Sequence, residues 1–313
     1  MGEIVNSISF QQNTLCWVQV ELNAGQSITI QRVVESPLPF VINYDNVQKP
    51  TTAVRIANHL NSLIDKNDLG SQHVRFLLSA RLGLVRKVLV DHYLPQEMYA
   101  DMVHTELDNV FTSPLEEYHI YQPDYARRKQ SLRELLTVSV RKDVLTYMQQ
   151  AGKANNFGIS HIVLNCFTID ELYRRFFPNL IGQSLLVNLA ENGFEVIISD
   201  EETFLDYYFR PYSKSLQTIE QVPLQDVAIT FSELLGDIQQ AGPNGMPIYS
   251  PAQAFEFCSA LREDMLESLQ AQSNVSLRIL NPADTTEWQI ISNDPTFDSA
   301  NAFRYVEPLS HIF

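Results

Sequence analysis

The chain has 313 residues, of which 45% are hydrophobic, and 37 acidic against 22 basic residues give a formal net charge of −15. This length is sufficient for one large or two medium domains with a sizeable core. The acidic balance argues against nucleic acid or an anionic membrane as the main partner, because both require a basic surface.

The cysteine pattern and the hydropathy pattern both bear on the compartment. Cys16, Cys166 and Cys258 lie far apart in sequence and have no metal-ligand spacing, which favours buried thiols in a reducing cytosol. No basic segment followed by an apolar run opens the chain, and no stretch approaches about 18 apolar residues. The sequence therefore predicts a cytoplasmic protein that does not span a membrane, although a partner could recruit it to one.

The first 80 residues predict three strands, a helix and a fourth strand. Apolar runs within residues 4–34 are separated by the polar segments Gln11–Asn13 and Asn23–Gln26, as in a meander. Apolar residues between Ala53 and Ile64 recur at helical spacing, and Val74–Ala80 is a continuous apolar run typical of a buried strand.

Residues 84–133 predict a strand, a helix and a loop. A strand over Leu84–Pro95 precedes a helix over Gln96–Phe111, and Pro123–Arg133 has the composition of a solvated loop. The apolar side of the helix contains Met98, Met102 and Val103. Such a stripe is usually core; the alternative is a peptide-binding wall, because methionine suits adaptable surfaces.

The elements after residue 134 lead into a second meander. Strands are predicted over Leu135–Val140 and His161–Leu164, with a helix from Lys142 to Ala151 between them and another from Ile169 that stops near Pro178. Ser184–Arg210 then forms a second meander, about half the chain after the first, which indicates a duplicated architecture.

The remaining residues predict the end of a second half with the order β-β-β-α-α-β. Helices are expected over Asp226–Ile238 and Ala252–Ala271, on either side of a loop over residues 241–251 that is rich in proline and glycine. Strands follow in Val275–Leu280 and Trp288–Ile291, and a terminal helix ends at Pro308.

Two stretches resemble the PilM family of actin-like cytoplasmic proteins that act in type IV pilus assembly. In the first, SARLGLVRKVLVDHYLPQEMYADMVHTELDNVFTSPLEEYHIYQPDY, the matching positions include Glu106, Pro114, Glu116, Glu117 and Ile120. The second, LLVNLAENGFEVIISDEETFLDYYFRPY, is similar to the family's second phosphate-motif hairpin and ends at the characteristic arginine, Arg210. The resemblance covers most of residues 1–212.

The resemblance implies a duplicated actin-like, or ribonuclease H-like, α/β fold with two mixed-sheet halves. The first half would span residues 1–165 and include the inserted subdomain at about 84–133. The second half would span residues 166–313.

The family's phosphate motifs place Asp–x–Gly at the first turn of each half, because the carboxylate organises Mg²⁺ and glycine lets the backbone approach the phosphates. The matching positions here are Ser7 and Ser9, or Asn6 in a shifted register, and Asn188 and Ala190. Both acids and both glycines are absent, and the adenosine region corresponds to Asn281–Pro282–Ala283. No catalytic residue, metal site or cofactor is therefore predicted, and ATP with Mg²⁺ would enter only if the degenerate cleft still binds it.

The resemblance implies a non-catalytic scaffold that binds the cytoplasmic tail of an inner-membrane, PilN-like partner, between the first half and the segment near residues 84–133. Met98, Met102 and Val103 are the candidate partner-binding residues. Two alternatives stay open: an actin-like ATPase or kinase relative with carboxylates elsewhere, and a filament-forming protein like FtsA, which would self-associate. P-loop, hydrolase, zincin and dinucleotide motifs are absent from the sequence.

Overall fold

The computed structural model describes residues 2–123, 126–129, 132–213, 218–240, 248–257, 263–273 and 275–313, with 126–129 and 263–264 described by their backbone. Up to residue 164 the elements are β1 (Glu3–Phe10), β2 (Thr14–Asn23), β3 (Ser27–Pro37), α1 (Tyr44–Val47), α2 (Pro50–Asn67), β4 (Val74–Leu78), β5 (Gly83–Asp91), α3 (Tyr99–Asp108), β6 (Tyr118–Tyr121), β7 (Ala126–Lys129), β8 (Leu132–Arg141), α4 (Lys142–Ala154) and β9 (Ile159–Leu164).

The elements that follow are α5 (Asn165–Phe176), β10 (Ser184–Ala190), β11 (Gly193–Ser199), β12 (Phe204–Pro211), α6 (Leu224–Ile238), β13 (Gln253–Phe257), α7 (Glu263–Gln272), β14 (Ser276–Ile279), β15 (Gln289–Ser292) and α8 (Val306–Ser310). Short 3₁₀ segments occupy Ala80–Leu82, Gln96–Met98, Leu115–Glu117, Pro282–Asp284 and Ser299–Tyr305. None of the helices in these described stretches is long and apolar enough to cross a membrane.

Two sheets of the same design form the centre of the molecule. In each, an antiparallel meander is extended by two parallel strands, giving the orders β15-β3-β2-β1-β4-β9 and β12-β11-β10-β13-β14. Once the short helix α1 and the inserted elements from β5 to β8 are set aside, both halves follow β-β-β-α-β-α-β along the chain. The predicted duplicated architecture is confirmed.

The strands form where apolar residues run without interruption. Six of the eight residues of β1 and all seven of β11 are buried, as expected for central strands covered on both faces. In the first half, Ile56 and Leu60 of α2 belong to the same buried core as Trp17 and Phe76. Proline suits the first helical position of α2 at Pro50, where no N–H partner is required. The predicted helix between Ala53 and Ile64 lies within α2.

The predicted inserted unit is a small sheet with the order β5-β8-β6, and β7 pairs with β8 beside β6. The expectation of a solvated loop over Pro123–Arg133 was wrong, because β7 and the start of β8 occupy it. The cations Arg127, Arg128 and Lys129 suggested solvent, but charged residues are also common on edge strands.

The predicted helix over Ala252–Ala271 was also wrong at its start. Gln253–Phe257 forms β13, a parallel strand between β10 and β14, and the helix α7 begins at Glu263. A short apolar run flanked by sheet on both sides has no periodicity that separates strand from helix. Cys258, predicted to be a buried thiol, lies outside the described residues, whereas Cys16 and Cys166 are buried.

The C-terminal residues return to the first sheet. Strand β15 pairs in parallel with β3, and Tyr305 and Leu309 pack against Val18 and Val20 of β2. The terminal helix does not end at Pro308 as predicted but continues to Ser310, because a proline in the first turn removes no intrahelical bond. The predicted division near residue 165 falls where β9 meets α5.

Candidate functional site

The tips of the two meanders touch where the halves meet. Glu191, in the two-residue turn between β10 and β11, accepts hydrogen bonds from Asn13 N at 2.8 Å, Asn13 Nδ2 at 2.7 Å and Thr14 Oγ1 at 2.8 Å. Three bonds to one ionised group form a strong link, because charge-assisted hydrogen bonds are stronger than neutral ones. The two turns that the resemblance associates with phosphates are therefore bonded to each other.

Behind these tips lies a buried polar cluster centred on two carboxylates. Glu307 of α8 accepts from Ser9 Oγ at 2.5 Å and from Asn188 Nδ2 at 2.7 Å, and Glu195 of β11 accepts from Ser79 Oγ at 2.7 Å. Asn188 and Asn165 each donate to both carboxylates, at 2.7 to 3.3 Å. We call this set the junction cluster: Ser9, Ser79, Asn165, Asn188, Glu195 and Glu307.

The two carboxylates of the junction cluster cannot both ionise without cost. Glu195 and Glu307 are 5% and 6% exposed, and their partners within the cluster are neutral hydroxyl and amide groups. Burial, and then the charge of Glu195, raise the pKa of Glu307 to about 7, against the opposing effect of hydrogen bonds from Ser9, Gln11 and Asn165. The pair therefore retains a proton into the neutral range.

Replacing Glu307 should change how stability depends on pH. The raised pKa means that the unfolded chain ionises first, so the free energy of unfolding falls as pH rises from about 4.5 to 7. In Glu307→Gln we expect this fall, measured by urea denaturation near pH 5 and pH 7.5, to be smaller by about 2 kcal/mol. Glu220→Gln, at an exposed position, is the control, and an equal pH dependence in both variants would contradict the assignment.

A cleft of about 310 Å³ opens in front of the junction cluster, which is at the small end of ligand pockets. Its lining carries four acids, Asp45, Glu191, Glu195 and Glu307, and one arginine, Arg81. Arg81 Nη1 donates to Asn192 Oδ1 at 2.7 Å, and its guanidinium lies 3.8 Å from the centre of the Phe209 ring.

The groups present in this cleft do not fit ATP with Mg²⁺, which the resemblance associates with the position. A triphosphate would meet four carboxylates and a single cation that is already bonded. Three of these carboxylates, those of Glu191, Glu195 and Glu307, accept hydrogen bonds from protein donors, and no cluster of three metal-ligating side chains occurs among the described residues. Binding would require these bonds to break.

The predicted phosphate-motif positions have separate surroundings. Ser9 and Asn188 come together on Glu307, Ala190 borders the cleft, and Ser7 is buried with no partner for Oγ in the described part of the chain. Asn6 lies apart, where its Oδ1 accepts from Trp17 and Gln19.

Sequence reasoning did not identify the two acids of the junction cluster. Glu195 lies between Phe194 and Val196 in a buried strand, and Glu307 lies between Val306 and Pro308. An acid inside an apolar run was the available signal. In the predicted adenosine region, the side chain of Asn281 accepts from Ala283 N and caps a 3₁₀ turn.

A second and larger cavity lies on the side of the first half. About 700 Å³ in volume, it runs between the inserted sheet and β9, and we call it the lateral groove. Its apolar lining consists of Val138, Val140, Leu145, Ile162, Val163, Leu164, Phe167 and Phe313. A further cavity of about 550 Å³ shares Leu145 and Ile162 with it and extends along β9 to Phe157.

Two strand edges border the lateral groove. Within the described residues, β6 pairs with β8 alone and β9 pairs with β4 alone, so each has one edge without a strand partner. His119 and Tyr121 of β6 and His161 of β9 line the groove. Exposed edges of this kind offer rows of N–H and C=O groups to an added strand.

The predicted partner-binding residues lie elsewhere. Val103 of α3 is fully buried in a small core with Val88, Val90 and Leu135. Met102 is half-buried at the edge of this core. Met98 is 46% exposed in the 3₁₀ segment before α3. Leu135 and Val138 have opposite parity in β8, so α3 covers the sheet face opposite the lateral groove. None of the three predicted residues borders the groove.

Comparison with solved structures finds proteins that are similar to this chain over nearly its whole length. The chain is similar to a PilM-PilN type IV pilus biogenesis complex, with a TM-score of 0.70 and 13% identity over 97% of this chain and 94% of that chain. It is also similar to a Bacteroides thetaiotaomicron protein with an actin-like ATPase fold and unknown function, at a TM-score of 0.50 and 8% identity over 91% and 93% of the two chains.

The fold is actin-like. The ethanolamine utilization protein EutJ from Carboxydothermus hydrogenoformans is a third similar structure, with a TM-score of 0.50 and 7% identity over 99% of this chain and 89% of EutJ. No family model and no curated protein sequence matches the chain significantly. At such low identity these likenesses establish the actin-like fold expected from the sequence. Function must be inferred from the cleft and the lateral groove.

Proposed function

We propose that this protein is a non-catalytic actin-like scaffold that binds the cytoplasmic tail of an inner-membrane protein in a type IV pilus or related secretion assembly. The observation that carries the proposal is the lateral groove, where an apolar floor lies between two strand edges that have no strand partner among the described residues. An extended peptide uses both features, because main-chain bonds to an edge give affinity and alternate side chains enter apolar pockets.

The contents of the central cleft support a role without nucleotide chemistry. The junction cluster joins β1, β10, β11, α5 and α8 through bonds to Glu195 and Glu307, and Glu191 joins the two turns in front of it. These contacts fix the halves to each other by protein groups alone. A rigid link between the halves suits a scaffold, and the four acids that line the cleft oppose the binding of a triphosphate.

The setting of the proposed assembly comes from the similar structure that contains PilM and PilN, whose description names a type IV pilus biogenesis complex. On this proposal the protein is cytoplasmic and reaches the inner membrane through its partner. Met98, exposed on the other face of the inserted sheet, stays a candidate for a second contact.

A peptide array tests the proposal. Overlapping peptides from the cytoplasmic tails of the host's single-span inner-membrane proteins are probed with the full chain, and binders are titrated in solution against scrambled versions. We expect one tail to bind at a micromolar dissociation constant and Val163→Glu, in the lateral groove, to weaken it by about tenfold or more.

Val54→Glu is the matched control, because Val54 is 60% exposed on α2 and away from the groove. It should leave the dissociation constant unchanged within about twofold. The proposal fails if no tail binds more tightly than its scrambled version. It also fails if Val163→Glu and Val54→Glu both bind the tail with the dissociation constant of the wild type.

A further inference from the structure

One end of the lateral groove carries three basic side chains from separate elements. Parallel pairing of β4 with β9 sets Arg75 opposite His161 on one face of the sheet. The ring of His311, just after α8, lies 5.6 Å from the ring of His161, centre to centre. Arg75 Nη1 donates to the backbone oxygen of His311, so the guanidinium and both imidazoles are held together.

These side chains have unused hydrogen-bonding capacity. Arg75 Nε and His311 Nδ1 are buried and have no partner within the part of the chain that the structure describes. Among the described residues, the Arg75 side chain makes one hydrogen bond, to the carbonyl oxygen of His311, and has no ion pair within 4 Å. A buried polar atom without a partner is unfavourable, and an arriving acceptor would remove that cost.

The local charge is opposite to that of the whole protein. The chain has a net charge of −15, yet the groove and its extension are lined by Arg75, Lys153, His119, His161 and His311 against one acid, Glu171. Glu171 is paired with Arg175 at 2.7 Å. Glu171 is therefore already paired, and Glu3, whose charge acts on Arg75, does not line the groove.

The titration of His311 agrees with this geometry. Burial, with the nearby charges of Arg75 and His161, lowers the pKa of His311 to about 3. A neighbouring carboxylate would have the opposite effect, because it favours the imidazolium.

We propose that Arg75, His161 and His311 form an anion site that binds a carboxylate side chain of the extended tail in the lateral groove. This inference rests on the proposed function and adds the chemistry of its ligand: an apolar extended segment with an aspartate or glutamate facing α8. Arg75 supplies the charged donor, and the imidazoles supply further donors at the same position.

The test uses defined peptides rather than natural tails. Labelled, end-capped peptides of about ten residues alternate Val or Leu with Gln, and each carries one Gln replaced by Glu or by Lys at successive positions. Fluorescence anisotropy with the full chain gives each dissociation constant. At the position that meets the site, we expect Glu to bind about tenfold more tightly than Gln and Lys to bind more weakly.

Substitutions in the protein assign the preference to the site. Arg75→Gln should abolish the Glu preference, Arg75→Lys should retain part of it, and His161→Gln, at an exposed position on the edge strand, should reduce it. Arg278→Gln, at an exposed position in β14, removes the same charge elsewhere and should leave the preference intact. If Arg75→Gln does not melt cooperatively, the test rests on whether His161→Gln reduces the Glu preference.

The outcomes separate this inference from the proposed function. If Glu peptides bind no more tightly than Gln peptides at any position, or if the preference survives in both Arg75→Gln and His161→Gln, the anion site is overturned even where natural tails bind. If the Glu preference follows Arg75 while no natural tail binds, the site stands and the scaffold proposal fails.

Discussion

Asn188→Asp is expected to lower the free energy of unfolding by about 3–5 kcal/mol near pH 8. The amide of Asn188 donates to Glu307 at 2.7 Å and to Glu195 at 3.1 Å, and a carboxylate has no N–H to donate. The substitution removes both bonds and places a third acid beside two buried acids. Asn188 is 4% exposed, so water would not screen the repulsion.

The loss should shrink as the pH falls. Protonation relieves repulsion among the three acids, and the pKa of Glu307 is already raised to about 7. Near pH 5 we expect the difference between Asn188→Asp and the wild type to be about half of its value near pH 8. Urea denaturation at both pH values gives the two differences.

Asn61→Asp, at an exposed position on α2, is the matched control and should change the free energy of unfolding by less than about 0.5 kcal/mol. A loss in Asn188→Asp that does not depend on pH would show that lost packing, rather than charge, is responsible. Unchanged stability would contradict the bonding of the junction cluster.

This variant also bears on the proposed scaffold. The resemblance to the phosphate motif implies an aspartate at position 188, so Asn188→Asp would restore the acid of that motif. The junction cluster predicts that the change destabilises the protein, because Glu195 and Glu307 already occupy the surroundings of residue 188. A single substitution is therefore not expected to restore nucleotide binding, and a thermal shift on adding ATP with Mg²⁺ to this variant would contradict that expectation.

Much of the fold could be predicted because its signals are local. The two meanders stand out as apolar runs separated by polar turns, and their spacing indicates duplication. The prediction at β13 was wrong for a local reason as well. Ala254, Phe255 and Phe257 lie in a central strand that is buried on both faces, so their sequence shows no period of two.

The sites depend on contacts between residues far apart in the sequence. Asn188 and Glu307 are separated by 119 positions, and Ser9 and Glu307 by 298. The register of β4 against β9 brings Arg75 to His161, and His311 joins them from the residue that follows α8. Sequence periodicity carries no information on such pairings, and the role assigned to Met98, Met102 and Val103 stays a prediction.

Glu256→Leu is expected to raise the free energy of unfolding by about 3–4 kcal/mol near pH 8.5. Glu256 is fully buried in β13, on the same strand face as Ala254, which belongs to the second-half core. Neither of its carboxylate oxygens has a hydrogen-bond partner among the described residues. Burial raises the pKa of Glu256 from 4.5 to about 8.

The sign of the pH dependence follows from this raised pKa. Between about pH 4.5 and pH 8 the unfolded chain loses the proton while the folded protein keeps it, so Glu256 lowers the stability progressively as pH rises. Near pH 5 the carboxyl group is protonated in the folded state, and only its missing hydrogen bonds lower the free energy of unfolding. The gain in Glu256→Leu should then fall to about 1–2 kcal/mol.

Urea denaturation near pH 5 and pH 8.5 measures both gains, and Glu267→Leu, at an exposed position in α7, is the control for the added apolar side chain. A gain that is equal at the two pH values would mean that Glu256 does not titrate within this range. A loss of stability at both pH values would mean that the buried carboxyl group has partners in the folded protein, and that β13 requires them.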